Sequence, residues 1–591
     1  MSEALSTTNQ ARHGGAIVAE YLRKAGVSHL FTLCGGHISP ILVESNRLGI
    51  RVVDVRSEAS AVFAADAHAR LTGKPGVAVV TAGPGVTNTI TAVKNAQMAQ
   101  SPVLLIGGAT PTILKDRGSL QDIDQLSVMQ SLVKWQTSVS TLAQLEDAMK
   151  YGLRHAADGV PGPVFIEAPI DLLYPREMVH EMYADQAGVK NMKGPIGTAA
   201  RAGLTLYLRR QEVQPALGLH PDTGAMRPIS NWRAMSQVGR VARLIAKAKR
   251  PALVLGSQVL VNRDMEDAVG IAEAVDSLAL PTWTGGMARG LLGADSDLLF
   301  RHKRGNALKE ADLVIVAGFP FDFRMGYGRG FARDANIVSV NLSRDDLTLN
   351  RKPDVPVLCH PGDFLEALAH RAEPADCPDW FASLREREAA REAEIDGAAA
   401  EEADGVNPVG FFRKLDQVLE ENDILVVDGG DFVATSAYTL RPRRPLSWLD
   451  PGVYGTLGVG GGFALGATTA RPDSRVWLIY GDGSSAYSLA EFDTCVRMGF
   501  APIAVVGTDA SWGQIAREQE EMLGDNIGTY LRKTDYQIVA EGYGGHGILV
   551  TANDQIPAAL DEARAVAAEG RPVCINLHLG TSEFRKGSIS M

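Results

Sequence analysis

Two aspartates end two apolar runs in the stretch WLIYGDGSSAYSLAEFDTCVRMGFAPIAVVGTDASWG, residues 477–513. Asp482 sits inside a Gly-Asp-Gly triplet. Asp509 follows after an interval that suits a strand, a crossover helix and a second strand. That spacing predicts both acids at one edge of a parallel sheet. Paired carboxylates there suit a hard cation such as Mg²⁺, which takes oxygen ligands and shares phosphates. Gly481 and Gly483 allow close backbone approach, and Ser484 and Ser485 open a helix whose first N–H groups favour phosphate. The triplet alone reads equally well as a glycine turn with a solvated aspartate.

Other side chains could do chemistry. Glu58 heads an alanine-rich helical stretch, where an acid also favours the helix dipole. His37 lies beside Gly35 and Gly36 in LCGGHIS, a glycine-rich strand–helix turn from which an imidazole could reach a substrate. Glu491 has the apolar neighbours Leu489 and Phe492, which speaks against a plain surface position. Cations cluster at Arg301, Lys303, Arg304, Arg324 and Arg329, and again at Arg585 and Lys586 in the tail. Each alone reads as a solvated charge.

The elements that must position these groups follow from the whole chain. Its 591 residues exceed one core, and 45 % hydrophobic with 21 % charged residues is an ordinary soluble composition. A net charge of −11 argues against nucleic acid as a partner. Five scattered cysteines without a CxxC pair argue against a zinc or disulfide framework and fit a reducing cytoplasm. The first residues lack the apolar core of a signal peptide, and no apolar run suggests a membrane span. Short apolar runs closed by glycine alternate with helical patterns in three blocks, which predicts three doubly wound parallel-sheet α/β domains. The expected boundaries are 1–180, a Gly/Pro/Arg-rich connection without sustained period at 181–237, a second domain at 238–370, a charged linker helix at 371–405, a third domain at 406–579 and a polar tail at 580–591. Ligands in such sheets sit at the carboxyl ends of the strands.

With its order of domains, GDG followed by a residue of the Asn type resembles the magnesium–diphosphate motif of thiamine diphosphate enzymes. The resemblance spans nearly the whole chain and names the domains pyrimidine-binding, central and diphosphate-binding. It implies thiamine diphosphate and Mg²⁺ as cofactors, with Asp482, Asp509 and the Ser511 carbonyl holding the metal and Gly483 and Ser484 at the diphosphate. Asp509 stands where the family usually has Asn. Glu58 with GPGVTN, Gly83 to Asn88, resembles the pyrimidine-domain signature. The resemblance implies that Glu58 bonds N1′ of the aminopyrimidine, promoting the imino tautomer that deprotonates C2 of the thiazolium. DGGDF, with Gly429 and Asp431, resembles a second diphosphate loop. GVYGTLGVGGGFALGA resembles the segment that bends the cofactor over Leu457, with the Gly455 carbonyl accepting from the 4′-amino group. The family shares Glu58 with the diphosphate domain of a second subunit, which implies a homodimer or homotetramer with the active site at the dimer interface.

Gln121 matches a glutamine near the cofactor of acetolactate synthases and benzaldehyde lyases, whose glycine–histidine turn the His37 stretch also resembles. Glu491 matches a glutamate that projects towards the reacting centre. Overall the chain is similar to 2-hydroxyacyl-CoA lyases, especially those acting on 2-hydroxyisobutyryl-CoA. This implies cleavage to formyl-CoA and a ketone or aldehyde, with His37 or Glu491 in proton traffic. The CoA phosphates would take Arg301, Arg304, Arg324, Arg585 and Lys586, under a tail that could act as a lid. The central domain also resembles regions that hold ADP, CoA or FAD. An acetolactate synthase-like or benzaldehyde lyase-like carboligase or decarboxylase is the alternative; intact Glu58, Asp482 and Glu491 argue against a silent homologue.

Overall fold

The computed structural model describes residues 12–186, 188, 191–213, 231–582 and 584–585. Three parallel sheets organise them. The first is ordered β2-β1-β3-β4-β6-β5, from β1 (His29–Thr32), β2 (Arg51–Asp54), β3 (Gly76–Val80), β4 (Val103–Ala109), β5 (Trp135–Ser138) and β6 (Val164–Pro169). The second is ordered β11-β10-β9-β7-β8, from β7 (Pro251–Leu255), β8 (Thr282–Thr284), β9 (Leu313–Ala317), β10 (Asn336–Asn341) and β11 (Val355–Leu358). The third is ordered β13-β12-β14-β15-β17-β16, from β12 (Ile424–Asp428), β13 (Trp448–Leu449), β14 (Val476–Gly481), β15 (Ile503–Thr508), β16 (His546–Val550) and β17 (Val573–His578). Every residue of β3, β4, β7, β9 and β12 is buried. Helices on both faces account for their unbroken apolar character.

The first and third domains meet through two helices. Glu58–Thr72 packs on Gly460–Ala470. A Cβ on Gly462 would lie 2.6 Å from Phe63 Cβ, and one on Gly466 would lie 2.3 Å from the Ala64 carbonyl. Only glycine lets these backbones approach so closely.

The connection expected at 181–237 is more regular than its composition suggests. Helices span Arg176–Gln186, Gly194–Val213 and Asn231–Ile245, so the boundary at 237 falls inside a helix. Within Gly194–Val213, Leu208 packs with Val179 and Tyr183, and Gln211 donates to Asp171 at 2.9 Å. Tertiary anchoring stabilises a stretch that lacks a strong pattern of its own. The charged segment 371–405 holds the helix Pro378–Ala400, which is more than a solvated linker. Trp380, Leu384 and Ile395 are buried, and Glu388 accepts the backbone N–H groups of Arg301 and His302, both at 3.0 Å.

Candidate active site

The carboxyl ends of β12, β14 and β15 enclose a cavity of about 290 Å³ lined by Gly429, Asp431, Leu457, Asp482, Asp509 and Trp512 among others. Gly481 of β14 is in register with Gly507 of β15, which brings the acids that follow to one edge. Asp482 is buried; its Oδ1 accepts Gly483 N–H and its Oδ2 accepts Ala510 N–H, both at 2.8 Å. Asp509 opens onto the cavity and accepts Ser511 N–H at 3.0 Å. Burial, then the charge of Asp509, pushes the Asp482 carboxyl up to about 7. The Asp509 carboxyl is pushed up to about 6, mainly by burial and then by Asp431.

The cavity wall depends on glycine. A Cβ at Gly429 would lie 2.2 Å from Leu457 Cδ2, one at Gly483 would lie 2.4 Å from the Trp512 ring, and one at Gly507 would lie 2.5 Å from the Phe432 ring. Cβ atoms at Gly430 and Gly455 would meet no atom within 4 Å. A bare backbone cradle beside two carboxylates at one sheet edge fits a diphosphate carried on a divalent cation. Asp431, in the same cavity, pairs with Arg517 and lies 3.5 Å from Arg585 Nε.

A second cluster stands at the carboxyl edge of the first sheet. Glu58, buried at the start of its helix, accepts Asn88 Nδ2–H at 3.0 Å. Gly83 has a φ of +61°, and a Cβ there would lie 2.9 Å from Gln121 Cβ. His37 Nδ1 is 3.1 Å from Thr81 Oγ1, and burial holds its imidazole below the ordinary value. The structure thus groups Glu58 with Asn88, Gly83 with Gln121, and His37 with Thr81 at this edge. None of the residues lining the glycine-walled cavity comes from the first domain, among the described residues.

Glu491 makes its contacts away from this cavity. It is absent from the cavity wall, and its carboxylate accepts Arg56 N–H at 3.1 and 3.2 Å and Thr494 Oγ1–H at 2.7 Å. Its apolar neighbours Leu489 and Phe492 are buried, with Phe492 against Gly545 of the third domain.

The cations also separate. Arg289, Arg301, Lys303, Arg304, Arg391 and Arg441 line a cavity of about 630 Å³ between the central and third domains, and no carboxylate residue is among its described lining. Burial lowers the pKa of Arg289 and Arg304 and brings Arg301 down to about 10; neighbouring guanidinium charges add to the effect on Arg301 and Arg304. Such crowding favours an anionic ligand. Arg324 is not in this wall. It pairs with Asp322 at 2.6 Å and borders a different cavity. The tail links the two sites: Phe584 packs on Tyr438 of the basic cavity, at 6.1 Å between ring centroids, while Arg585 lies over Tyr438 and beside Asp431. Lys586 lies outside the described residues.

Sequence reasoning missed several positioning groups. Gln125 accepts Gly83 N–H at 2.9 Å and donates to the Gly108 carbonyl at 3.1 Å and to Glu167 at 2.9 Å. Trp512 and Asp428 were also passed over, although Asp428 opens the DGGDF stretch.

Comparison with known proteins decides the family. Residues 12–128 match the thiamine pyrophosphate enzyme N-terminal TPP binding domain, residues 238–368 the central domain, and residues 428–577 the C-terminal TPP binding domain. The chain is 47 % identical over 590 residues to 2-hydroxyacyl-CoA lyase 2 of Danio rerio, covering 98 % of this chain and 94 % of that protein. It belongs to the thiamine pyrophosphate enzymes. It is also 45 % identical over 593 residues to 2-hydroxyacyl-CoA lyase 2 of Homo sapiens, covering 98 % and 92 % of the two chains. A probable acetolactate synthase of Mycobacterium bovis is 30 % identical over 573 residues, covering 96 % of each. In a thiamine pyrophosphate enzyme, the glycine-walled cavity at β12, β14 and β15 lies within the C-terminal TPP binding domain, and Glu58 and Gly83 lie within the N-terminal one.

Proposed function

We propose that this chain is a carbon–carbon lyase that cleaves a short 2-hydroxyacyl-CoA, such as 2-hydroxyisobutyryl-CoA, to formyl-CoA and a ketone or aldehyde. The basic cavity carries this reading: a pocket with no carboxylate residue among its described lining, joined through Tyr438, Phe584 and Arg585 to the glycine-walled cavity, suits the phosphates of a CoA thioester. The names of the relatives at 45–47 % identity agree with it. Arg301, Arg304 and Arg585 would hold the thioester.

Thiamine diphosphate supplies the electron sink for breaking a bond beside a carbonyl. Asp482, Asp509 and the Ser511 carbonyl would hold Mg²⁺, and Gly429, Gly483 and Ser484 would cradle the diphosphate. Leu457 and the Gly455 carbonyl, both on the cavity wall, would contact the cofactor and fix its position. Glu58 would hold a proton at N1′ of the pyrimidine. His37, uncharged near neutral pH because burial lowers its pKa, would accept the substrate hydroxyl proton at Nε2, Nδ1 being engaged by Thr81. Gln121, against Gly83, would orient the substrate.

Because, among the described residues, Glu58 and Gly83 do not line the glycine-walled cavity, a second copy would complete the site in a homodimer or homotetramer. The cavity holding Gln258 and Arg324 at the carboxyl edge of the second sheet would take an adenine nucleotide. Among the described residues no helix is long and apolar enough to cross a membrane, and a cytoplasmic setting fits the scattered cysteines.

Incubation of the enzyme, Mg²⁺ and thiamine diphosphate with 2-hydroxyisobutyryl-CoA should release formyl-CoA and acetone, read by mass spectrometry. Turnover of pyruvate to acetolactate with no formyl-CoA would favour the carboligase reading suggested by the relative at 30 % identity.

A further inference from the structure

Leu457 sits in a segment with little stiffness of its own. Gly455 has a φ of +65° and Gly458 one of +90°, ahead of the helix that opens at Gly460. Something outside the segment must hold Leu457 where its Cδ2 fills the space beside Gly429. The adjoining carboxylate is Asp428, the last residue of β12, which is fully buried and lies behind the cavity wall. Its Oδ1 accepts Gly458 N–H at 3.1 Å, and its Oδ2 accepts Gly460 N–H at 2.8 Å. Its carbonyl accepts Ser484 Oγ–H at 2.5 Å, which ties the same residue to the start of the GDG helix.

We infer that Asp428 is a positioning residue that clamps the backbone on the C-terminal side of Leu457 and so holds Leu457 in its place against the cofactor site. The inference rests on the reading that Leu457 flanks bound thiamine diphosphate. Two backbone donors converge on one side chain, so it must offer two acceptors. A carboxylate does; the amide of asparagine offers one oxygen and turns an N–H towards the other donor. One buried N–H would lose its partner, and the glycine-rich segment would relax. Burial pushes the Asp428 carboxyl up to about 7 while the two N–H groups draw it back, so its clamp is complete above that pH.

The test is a double-mutant cycle at pH 8, with the cofactor affinity of the Mg²⁺-loaded chain read by tryptophan fluorescence and hydrogen–deuterium exchange at C2 of the bound cofactor read by NMR. Asp428→Asn should weaken cofactor binding by about tenfold and slow the exchange. In a Leu457→Ala background the same change should add little, because the residue it positions is gone. Equal effects in both backgrounds would overturn the inference and leave Asp428 a general stabiliser. Leu457→Ala with unchanged affinity and exchange would overturn the underlying reading as well. Should Asp428→Asn fail to fold, amide exchange in the unmutated, cofactor-free chain decides: protected Gly458 and Gly460 amides support the clamp, and rapid exchange at both contradicts it.

Discussion

Asp482 and Asp509 follow paired strands in register at Gly481 and Gly507, and the charge of Asp509 raises the pKa of Asp482. Two carboxylates share one edge at a cost that a cation removes. This predicts a specific pH dependence. Both folded-state values, about 7 and about 6, lie above those of an unfolded aspartate near 4. In the metal-free chain, ionising these groups therefore costs stability as pH rises from about 4 to about 7. Mg²⁺ with thiamine diphosphate should raise the Tm more at pH 8 than at pH 5.5, where protons compete for the same oxygens. An equal increment at both pH values, by scanning calorimetry, would contradict the two-carboxylate site.

Asp509→Asn keeps an oxygen and removes one charge. That variant should stay active, with modestly changed Mg²⁺ affinity and a shifted pH profile. Asp509→Ala removes the oxygen and should lose most metal-dependent activity. Titration of apoenzyme with Mg²⁺ separates the two, and identical behaviour would count against ligation by residue 509.

Glu58→Gln should fold normally, since the amide oxygen can still accept the Asn88 N–H. It should slow proton exchange at C2 of the cofactor by about 10²–10⁴-fold, the usual share of a positioned acid or base. Exchange near the unmutated rate would refute the assignment.

Arg304→Ala should raise KM for the CoA thioester by about tenfold or more, as loss of a charge-assisted contact does. Affinity for thiamine diphosphate should hold, because Arg304 lines the basic cavity and not the glycine-walled one. A KM unchanged within twofold would remove the CoA phosphates from that cavity.

Deleting residues 580–591 should raise KM for the thioester and reduce turnover while shifting the Tm little. Phe584 and Arg585 bridge Tyr438 and Asp431, one from the lining of each cavity, and contacts of this kind would govern access more than support a core. Steady-state kinetics and a melting curve check both halves of the statement.

Much of this was legible before any tertiary structure. The three sheets follow from short apolar runs closed by glycine. The Asp482–Asp509 pair follows from the size of one strand–helix–strand unit, because neighbouring parallel strands end at one edge. Local rules suffice wherever the partners lie on adjacent elements. They fail where partners come from distant segments. The backbone N–H of Arg56, far away in sequence, donates to the Glu491 carboxylate, a contact that the sequence does not announce. Arg324 looked equivalent to Arg304, but Asp322 turns it to another cavity. Arg289, Arg391 and Tyr438 carry no common sequence signal, and packing of the central domain against the third brings them to one wall. The helix Gly194–Val213 similarly depends on contacts with Asp171, Val179 and Tyr183 for what its composition lacks. Hydrophobic period and strand-end chemistry are set over one turn or one crossover, whereas the facing of a charged side chain is set by whichever domain buries it.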